Sequence, residues 1–238
     1  MEIKEYMAAK LTQIIPDIAP DVIDKFSIFS DELRAWNEKF NLTSITNEKE
    51  IVIKHFIDSL AIIKSNTVSQ CETVLDLGPG AGFPSIPLAI LCPNKRFFLI
   101  ESNNKKIGFL EHIISKLDLN NVIIKADRAE DMSRNKNNRE KYDCAISRAL
   151  AKFPIALEIC IALVKNSGII VYYASQKQKQ EILSQKRIFE KLKCEVESTY
   201  DYSLPEGFGE HSLIIVKKLW KTAELYPRQF NKIKRNPL

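Results

Sequence analysis

The stretch Thr73-Val74-Leu75-Asp76-Leu77-Gly78-Pro79-Gly80-Ala81-Gly82-Phe83-Pro84 decides how the rest of the chain is read. It opens on an apolar, strand-forming run and passes into three glycines within five residues, in a chain with seven glycines among 238 residues. Glycines placed between a strand and the next helix let the backbone turn tightly and approach a ligand closely, with the positive end of the helix beyond. The loop therefore predicts a nucleotide cradle; an ordinary strand-to-helix turn is the other reading of a lone G-x-G. Phe83 stands where the dinucleotide fingerprint needs its third glycine, which disfavours NAD and FAD. Gly82-Phe83-Pro84 replaces the G-K-[ST] of a phosphate loop, which disfavours ATP and GTP. Asp76 puts an anion at the strand tip, suited to a ligand bearing an ammonium and a sulfonium rather than a polyphosphate.

Outward from this loop, short β-rich runs alternate with helical stretches. Strands are predicted at 73–77, 96–101, 122–126, 142–147 and 168–174, and helices near 84–92, 103–118, 153–165 and 178–193. Such alternation implies parallel strands joined by right-handed crossovers, hence an open sheet covered on both faces. Two more strands, at 194–202 and 211–219, are joined by a short turn and predict an antiparallel final pair. Each strand tip carries a candidate group. Glu101 ends the second strand, placed to accept from ribose hydroxyls; Asp127-Arg128-Ala129-Glu130 follows the third; Ser147-Arg148-Ala149 closes the fourth. All lie on the carboxyl edge of the sheet.

Before residue 70 the pattern is helical. Val22, Phe26, Phe29, Leu33, Trp36 and Phe40 step by three and four, one apolar stripe of an amphipathic helix that belongs to the core. A shorter helix is predicted around 2–15, and another from Asn47, as N-cap with Glu50 three residues on, to about Lys64. On that last helix His55 and Asp58 are three apart and predict a hydrogen-bonded pair on one face, turned to the pocket or tying the helices to the sheet. His112 and His211 read as surface or packing residues, and the polar stretch 133–141 as an exposed loop.

Composition bounds the rest. With 45% hydrophobic and 27% charged residues the chain reads as a soluble globular protein. The odd number of cysteines, five, without a C-x-x-C, reads as buried thiols in a reducing compartment, with no metal site. No apolar run of about 18 residues or signal-like segment occurs, so the expected place is the cytoplasm, away from membranes. The net charge of +5 is concentrated in residues 217–238, which carry +6 and leave −1 on the remainder. A solvated basic end and a phosphate-contacting arm are both consistent with that tail.

These residues resemble a known family. D-L-G-P-G-A-G, Glu101 and the acid-containing segment after the third strand are similar to the class I S-adenosylmethionine-dependent methyltransferases. W-N-E-K-F-N-L-T-S-I-T (Trp36 to Thr46), K-H-F-I-D-S (Lys54 to Ser59), D-R-A-E, S-R-A and Y-P-R narrow the resemblance to the RsmG (GidB) family, guanine-N7 methyltransferases of small-subunit ribosomal RNA. The resemblance implies an α/β, Rossmann-like fold: a seven-stranded, mostly parallel sheet (71–220) with an N-terminal helical cap (1–70) and a basic tail (221–238). It implies S-adenosyl-L-methionine as cofactor and ribosomal RNA or the small subunit as partner, with the protein acting as a monomer. Cofactor contacts are expected from Asp76, Gly78, Gly80, Gly82, Phe83, Glu101, Ala129, Glu130 and Arg148. Arg148, at the pocket mouth, His55 and Asp58 are the candidates for a role in transfer. Lys54, Lys177, Arg228, Lys232, Lys234 and Arg235 are the expected RNA contacts. Ser85 stands where many members have glycine, and Ala174 where relatives commonly carry lysine, a role that would pass to Lys177. The alternative is another RNA, a small molecule or a protein as methyl acceptor. Lack of [ND]-P-P-[FYW] after the fourth strand and of a Pro-Cys nucleophile agrees with attack by a ring nitrogen that needs no base.

Overall fold

The computed structural model describes residues 2–148 and 151–238; Ala149, the last residue of the S-R-A motif, lies outside the described residues. Three helical pieces come first. Helix α1 (Ile3–Thr12) and α2 (Pro20–Phe40) precede a continuous helical run made of α3 (Glu48–Glu50), a π-helical stretch (Ile51–Ile57) and α4 (Asp58–Lys64). Asn47 caps this run as its sequence requires, its side chain accepting from the Glu50 amide at 3.2 Å. On α2, Phe26, Phe29 and Leu33 are fully buried, while Phe40 at the end of the stripe is 37% exposed and lies tilted beside the half-buried Trp36.

The sheet then assembles from β1 (Thr73–Leu77), β2 (Arg96–Glu101), β3 (Val122–Ala126), β4 (Tyr142–Ser147), β5 (Val164–Ser175), β6 (Cys194–Ser203) and β7 (Glu210–Lys218). Its order is β3-β2-β1-β4-β5-β7-β6; β1 to β5 are parallel and β7 runs antiparallel to both neighbours. The seven-stranded, mostly parallel architecture is the one expected. Helices α5 (Ser85–Leu91) and α6 (Asn104–Lys116) lie over one face; α7 (Ala129–Arg134), α8 (Phe153–Leu163), α9 (Gln176–Ser184) and α10 (Lys186–Leu192) over the other. Alternate residues of each strand go to opposite faces. Thus Val74, Cys144, Ile146 and Val171 join the core that holds α1, α2 and α5, whereas Leu75, Ala145 and Ile170 join the core around α8. The N-terminal helices share one continuous core with the first of these faces.

Several boundaries differ from those predicted. Strand β5 starts at Val164, because Tyr142 pairs with Val164 before an irregularity lets Cys144 meet Ile169. The helix predicted at 178–193 is divided at Gln185. The stretch 133–141 is less open than its polarity suggests: Ser133 is buried, and Glu140 binds the ammonium of the fully buried Lys218 at 2.7 Å. Four of the five cysteines are buried; Cys92 is half-buried, and all are free thiols. The tail folds back onto the sheet domain. Arg139 donates to the Tyr226 carbonyl at 2.7 Å, and a short helix, α11 (Phe230–Arg235), buries Ile233 in the core around α8. No helix among the described residues is long and apolar enough to cross a membrane.

Candidate active site

Five residues carry buried side-chain polar atoms without a partner among the described residues, and four of them surround the tip of β1. Asp76 is fully buried, and neither carboxylate oxygen accepts a hydrogen bond. Ser147 ends β4, whose Ile146 pairs with Asp76; Ser85 opens α5; His55 has an unpartnered Nδ1. Burial pushes the Asp76 carboxyl up to about 7 against the opposing pull of the Ser85 hydroxyl and the Arg148 charge. The Ser85 hydroxyl and amide lie near enough to favour the anion, yet neither reaches hydrogen-bond geometry, so both carboxylate oxygens remain orphaned. An unsatisfied buried carboxylate is costly, and a cation entering the crevice relieves that cost.

The glycine loop beside it is built for close approach. Gly78, Gly80 and Gly82 all have positive φ, and the Gly78 amide donates to the Ile100 carbonyl at 2.9 Å. A Cβ added at Gly80 meets only Lys106 Nζ, at 3.9 Å, so the space above this residue is open; at Gly82 it meets the Ile86 side chain at 2.6 Å. Gly80 therefore faces the crevice, and Gly82 lets α5 pack. The amides of Gly80 and Ala81 donate to no protein acceptor among the described residues. Glu101 is buried at the tip of β2, its Oε1 accepting from the Ser102 and Asn103 amides at 2.8 and 2.9 Å. Ala129 is buried and Glu130 half-buried at the start of α7. The carboxyl edge thus combines acids, orphaned acceptors and unpaired amides, which fits a cationic cofactor with a ribose.

Phe83 is built into a layer of rings. It stacks on Phe29 at 5.1 Å and on the His55 imidazole at 4.3 Å, and the Arg148 guanidinium lies 5.3 Å from its ring centre. The two most specific sequence motifs brace this layer. Asn37 Oδ1 accepts from the Thr43 amide at 2.8 Å, and the Thr43 hydroxyl lies 3.0 Å from His55 Nε2. Burial, reinforced by the Arg148 charge, holds the His55 imidazole down to about 3, so it is neutral.

His55 and Asp58 do not pair. The intervening turn is π-helical, with i→i+5 hydrogen bonds, so residues three apart no longer share a face. Asp58 instead accepts from Arg148 Nη1 at 2.8 Å and from the Tyr202 hydroxyl at 2.6 Å, with His211 Nδ1 at 3.7 Å. Tyr202 was legible in the sequence only as a strand residue and His211 as a surface or packing residue; their cross-strand pairing in β6 and β7 delivers both here. The remaining guanidinium nitrogens of Arg148, Nε and Nη2, have no partner among the described residues, leaving a planar fork for a carboxylate or phosphate.

The expected RNA contacts divide. Lys177 is exposed at the start of α9, at the tip of β5. Lys54 pairs with Glu50 at 2.7 Å and lies 4.7 Å from the Phe208 ring centre. Arg228 is engaged within the protein: its Nε and Nη2 grip the fully buried Glu158 at 2.9 and 2.6 Å, because a buried carboxylate needs a paired cation. Lys232, Lys234 and Arg235 are exposed on α11. The tail that bears them leaves the sheet beside Lys217, which pairs with Ile169 at the edge opposite the crevice. A cleft of about 480 Å³ lies at that opposite edge, lined by Ser65, Asp143 and Lys165; it contains none of the orphaned groups. Among the described residues no group of three or more His, Cys, Asp or Glu is arranged to hold a metal.

Residues 22–206 match the family described as rRNA small subunit methyltransferase G. The chain is 39% identical over 216 residues to the ribosomal RNA small subunit methyltransferase G of Thermoanaerobacter sp. (strain X514), covering 91% of this chain and 90% of that protein. It is 34% identical over 238 residues to the protein of the same name from Bacillus subtilis (strain 168), covering 100% and 99%. Among solved structures it is similar to M. jannaschii TYW2 in complex with AdoMet, with a TM-score of 0.51 and 21% identity over 67% of this chain and 74% of that one. That likeness concerns the fold alone.

Proposed function

Because the chain belongs to the rRNA small subunit methyltransferase G family, we propose that it moves the methyl group of S-adenosylmethionine onto N7 of a guanine in small-subunit ribosomal RNA. The observation that carries the cofactor assignment is the fully buried, unpartnered carboxylate of Asp76 directly before the glycine loop. The acceptor rests on family membership.

When bound, S-adenosylmethionine supplies an electrophilic methyl on a sulfonium. Gly78 and Gly80 would admit the methionine part against the backbone, with Gly82 fixing the turn and Phe83 forming the wall. Asp76 would balance the positive charge, Glu101 would accept from the ribose, and Ala129 and Glu130 would border the adenine. Arg148, fixed by Asp58 and lying beside Phe83, would hold the entrance with its free fork. Guanine N7 carries a lone pair at neutral pH, so no side chain has to remove a proton before attack. The surroundings agree with that economy: His55 is neutral and stacked, and Asp58 is engaged by Arg148 and Tyr202. His55 and Asp58 act as supports for Phe83 and Arg148 rather than as acid and base. Positioning then supplies the rate, and well-oriented reactants gain on the order of 7–11 kcal/mol. The protein would work as a monomer in the cytoplasm, where small subunits are assembled.

The test is methyl transfer from labelled S-adenosylmethionine to unmethylated small subunits, free small-subunit RNA and tRNA, presented separately. Label in small-subunit RNA, mapped to a guanine N7, is the expected result. Label in tRNA alone, or in none of the three, contradicts the proposal.

A further inference from the structure

The proposed reaction demands that one crevice accept a cation and face a polyanion, and the charges at the carboxyl edge are sorted by depth. Asp76, Glu101 and Asp58 are buried. At the rim stand Lys105, Lys152 and Lys177, all exposed, and Lys106, half-buried with its ammonium over Gly80. None of these four is in an ion pair among the described residues, whereas their neighbours Lys54 and Lys179 are paired with Glu50 and Asp201.

Their positions are locally unfavourable. A helix N-terminus carries positive partial charge and favours acids in its first turn, by about 0.3–1 kcal/mol for each. Helices α1, α2, α3 and α7 obey this with Glu5, Asp21, Glu48, Glu50, Glu130 and Asp131, whereas α10 and α11 have no acid in the first turn. Helices α6, α8 and α9 start at the carboxyl edge and have no acid in the first turn. They carry Lys105 and Lys106, Lys152 at the N-cap, and Lys177 instead. What sets these three starts apart is that their unpaired lysines converge on the mouth of one crevice, where an external anion would satisfy them. Between them opens the crevice marked by the unpartnered, fully buried side chains of Asp76 and Ser147, already given to the cofactor, so an anion held by these lysines lies across the mouth of that site.

Resting on the methyl-acceptor proposal above, we infer that Lys105, Lys106, Lys152 and Lys177 form the rim that grips the sugar-phosphate backbone of the substrate RNA on both sides of the crevice. The acids facing this edge set the path. Asp127 and Asp131 are exposed and Glu130 half-buried beyond β3, with Arg128 beside Glu130, so the backbone runs from α6 across to α8 and α9 and avoids the β3 side.

Binding of small-subunit RNA by the full-length protein, measured by filter retention from 50 to 300 mM KCl, tests the rim. Each phosphate of single-stranded RNA that the protein ceases to neutralise lowers the slope of log K against log salt by about 0.7. The triple variant Lys105→Ala/Lys152→Ala/Lys177→Ala is expected to lower it by about 2, with S-adenosylmethionine affinity by calorimetry within twofold of the parent. A charge-matched variant away from the edge, Lys186→Ala/Lys191→Ala/Lys193→Ala, is expected to keep the parental slope. An unchanged slope in the rim variant, or an equal fall in both variants, overturns the rim while leaving the methyl-acceptor proposal intact. A parent protein that shows no salt-dependent binding to the RNA overturns both.

Discussion

Replacing Asp58 by alanine removes the one carboxylate that pairs with Arg148 among the described residues, and the consequence follows from the contacts. Arg148 Nη1 then keeps only the Lys54 carbonyl and the Ser59 hydroxyl, both at 3.4 Å, and the Tyr202 hydroxyl loses its 2.6 Å acceptor. Breaking a buried pair by deleting one partner costs about 3–5 kcal/mol. The Arg148 side chain retains 15% exposure and that of Asp58 8%, so water relieves part of the penalty and the lower figure, about 3 kcal/mol, applies. With a urea m-value near 3 kcal/mol/M the unfolding midpoint falls by about 1 M. Asp58→Asn keeps an acceptor for Tyr202 and loses only the charge, so about half that loss is expected. The freed guanidinium no longer sits beside Phe83, so S-adenosylmethionine affinity drops at least tenfold in both variants. The double variant with Arg148→Ala isolates the pair, with a coupling energy of about 2 kcal/mol expected. A stability change below about 0.5 kcal/mol in Asp58→Ala, or a coupling near zero, would refute the bracing of Arg148 by Asp58.

Two further outcomes follow from the same geometry. Because Asp76 titrates near 7 in the ligand-free protein, well above its ordinary 3.8, a cationic ligand displaces a proton below that pH. S-adenosylmethionine affinity should rise about tenfold per pH unit up to about 7 and level off above it, with proton release visible calorimetrically at pH 6; a flat profile counts against Asp76 as the counter-charge. The sign for stability is opposite: a raised carboxyl pKa contributes fully below about 4 and fades towards 7, so the ligand-free protein loses on the order of 4 kcal/mol across that window. Gly80→Val has room in the protein itself, where the nearest atom is Lys106 Nζ, but forces a branched residue to a φ of +61°. About 1–2 kcal/mol of stability should be lost, and cofactor binding should fall more than tenfold; a folded variant with parental affinity would place the cofactor elsewhere.

The fold was legible where local preferences and hydrophobic pattern agreed. Strands β1 to β4 begin and end at the predicted residues because each is a compact β-prone run closed by a turn or helix start. The Asn47–Glu50 cap was equally readable, and so was the middle of the Val22 to Phe40 stripe, whose Phe26, Phe29 and Leu33 are buried while Phe40 is exposed. What local sequence does not encode is how distant segments meet. Asp58 lies 144 positions from Tyr202 and Arg228 lies 70 from Glu158, so the hub at Asp58 and the docking of the tail emerge only from packing. The π-helical turn carries no composition signal, which is why His55 and Asp58 read as a pair and part company in the structure. The site followed the same division. Asp76, the glycines and Glu101 stand at the strand tips where the sequence put them, whereas the orphaned state of Asp76 depends on burial by residues far along the chain.

The most direct test of the cofactor crevice is a crystal structure of the protein with S-adenosylmethionine bound. The sulfonium and ammonium are expected within reach of Asp76, the ribose against Glu101, and the adenine beside Ala129 and Glu130, with the glycine loop touching the methionine part. Density for the cofactor in the opposite-edge cleft at Ser65, Asp143 and Lys165, or a carboxyl edge closed by side chains, would contradict that placement and with it the role given to Asp76.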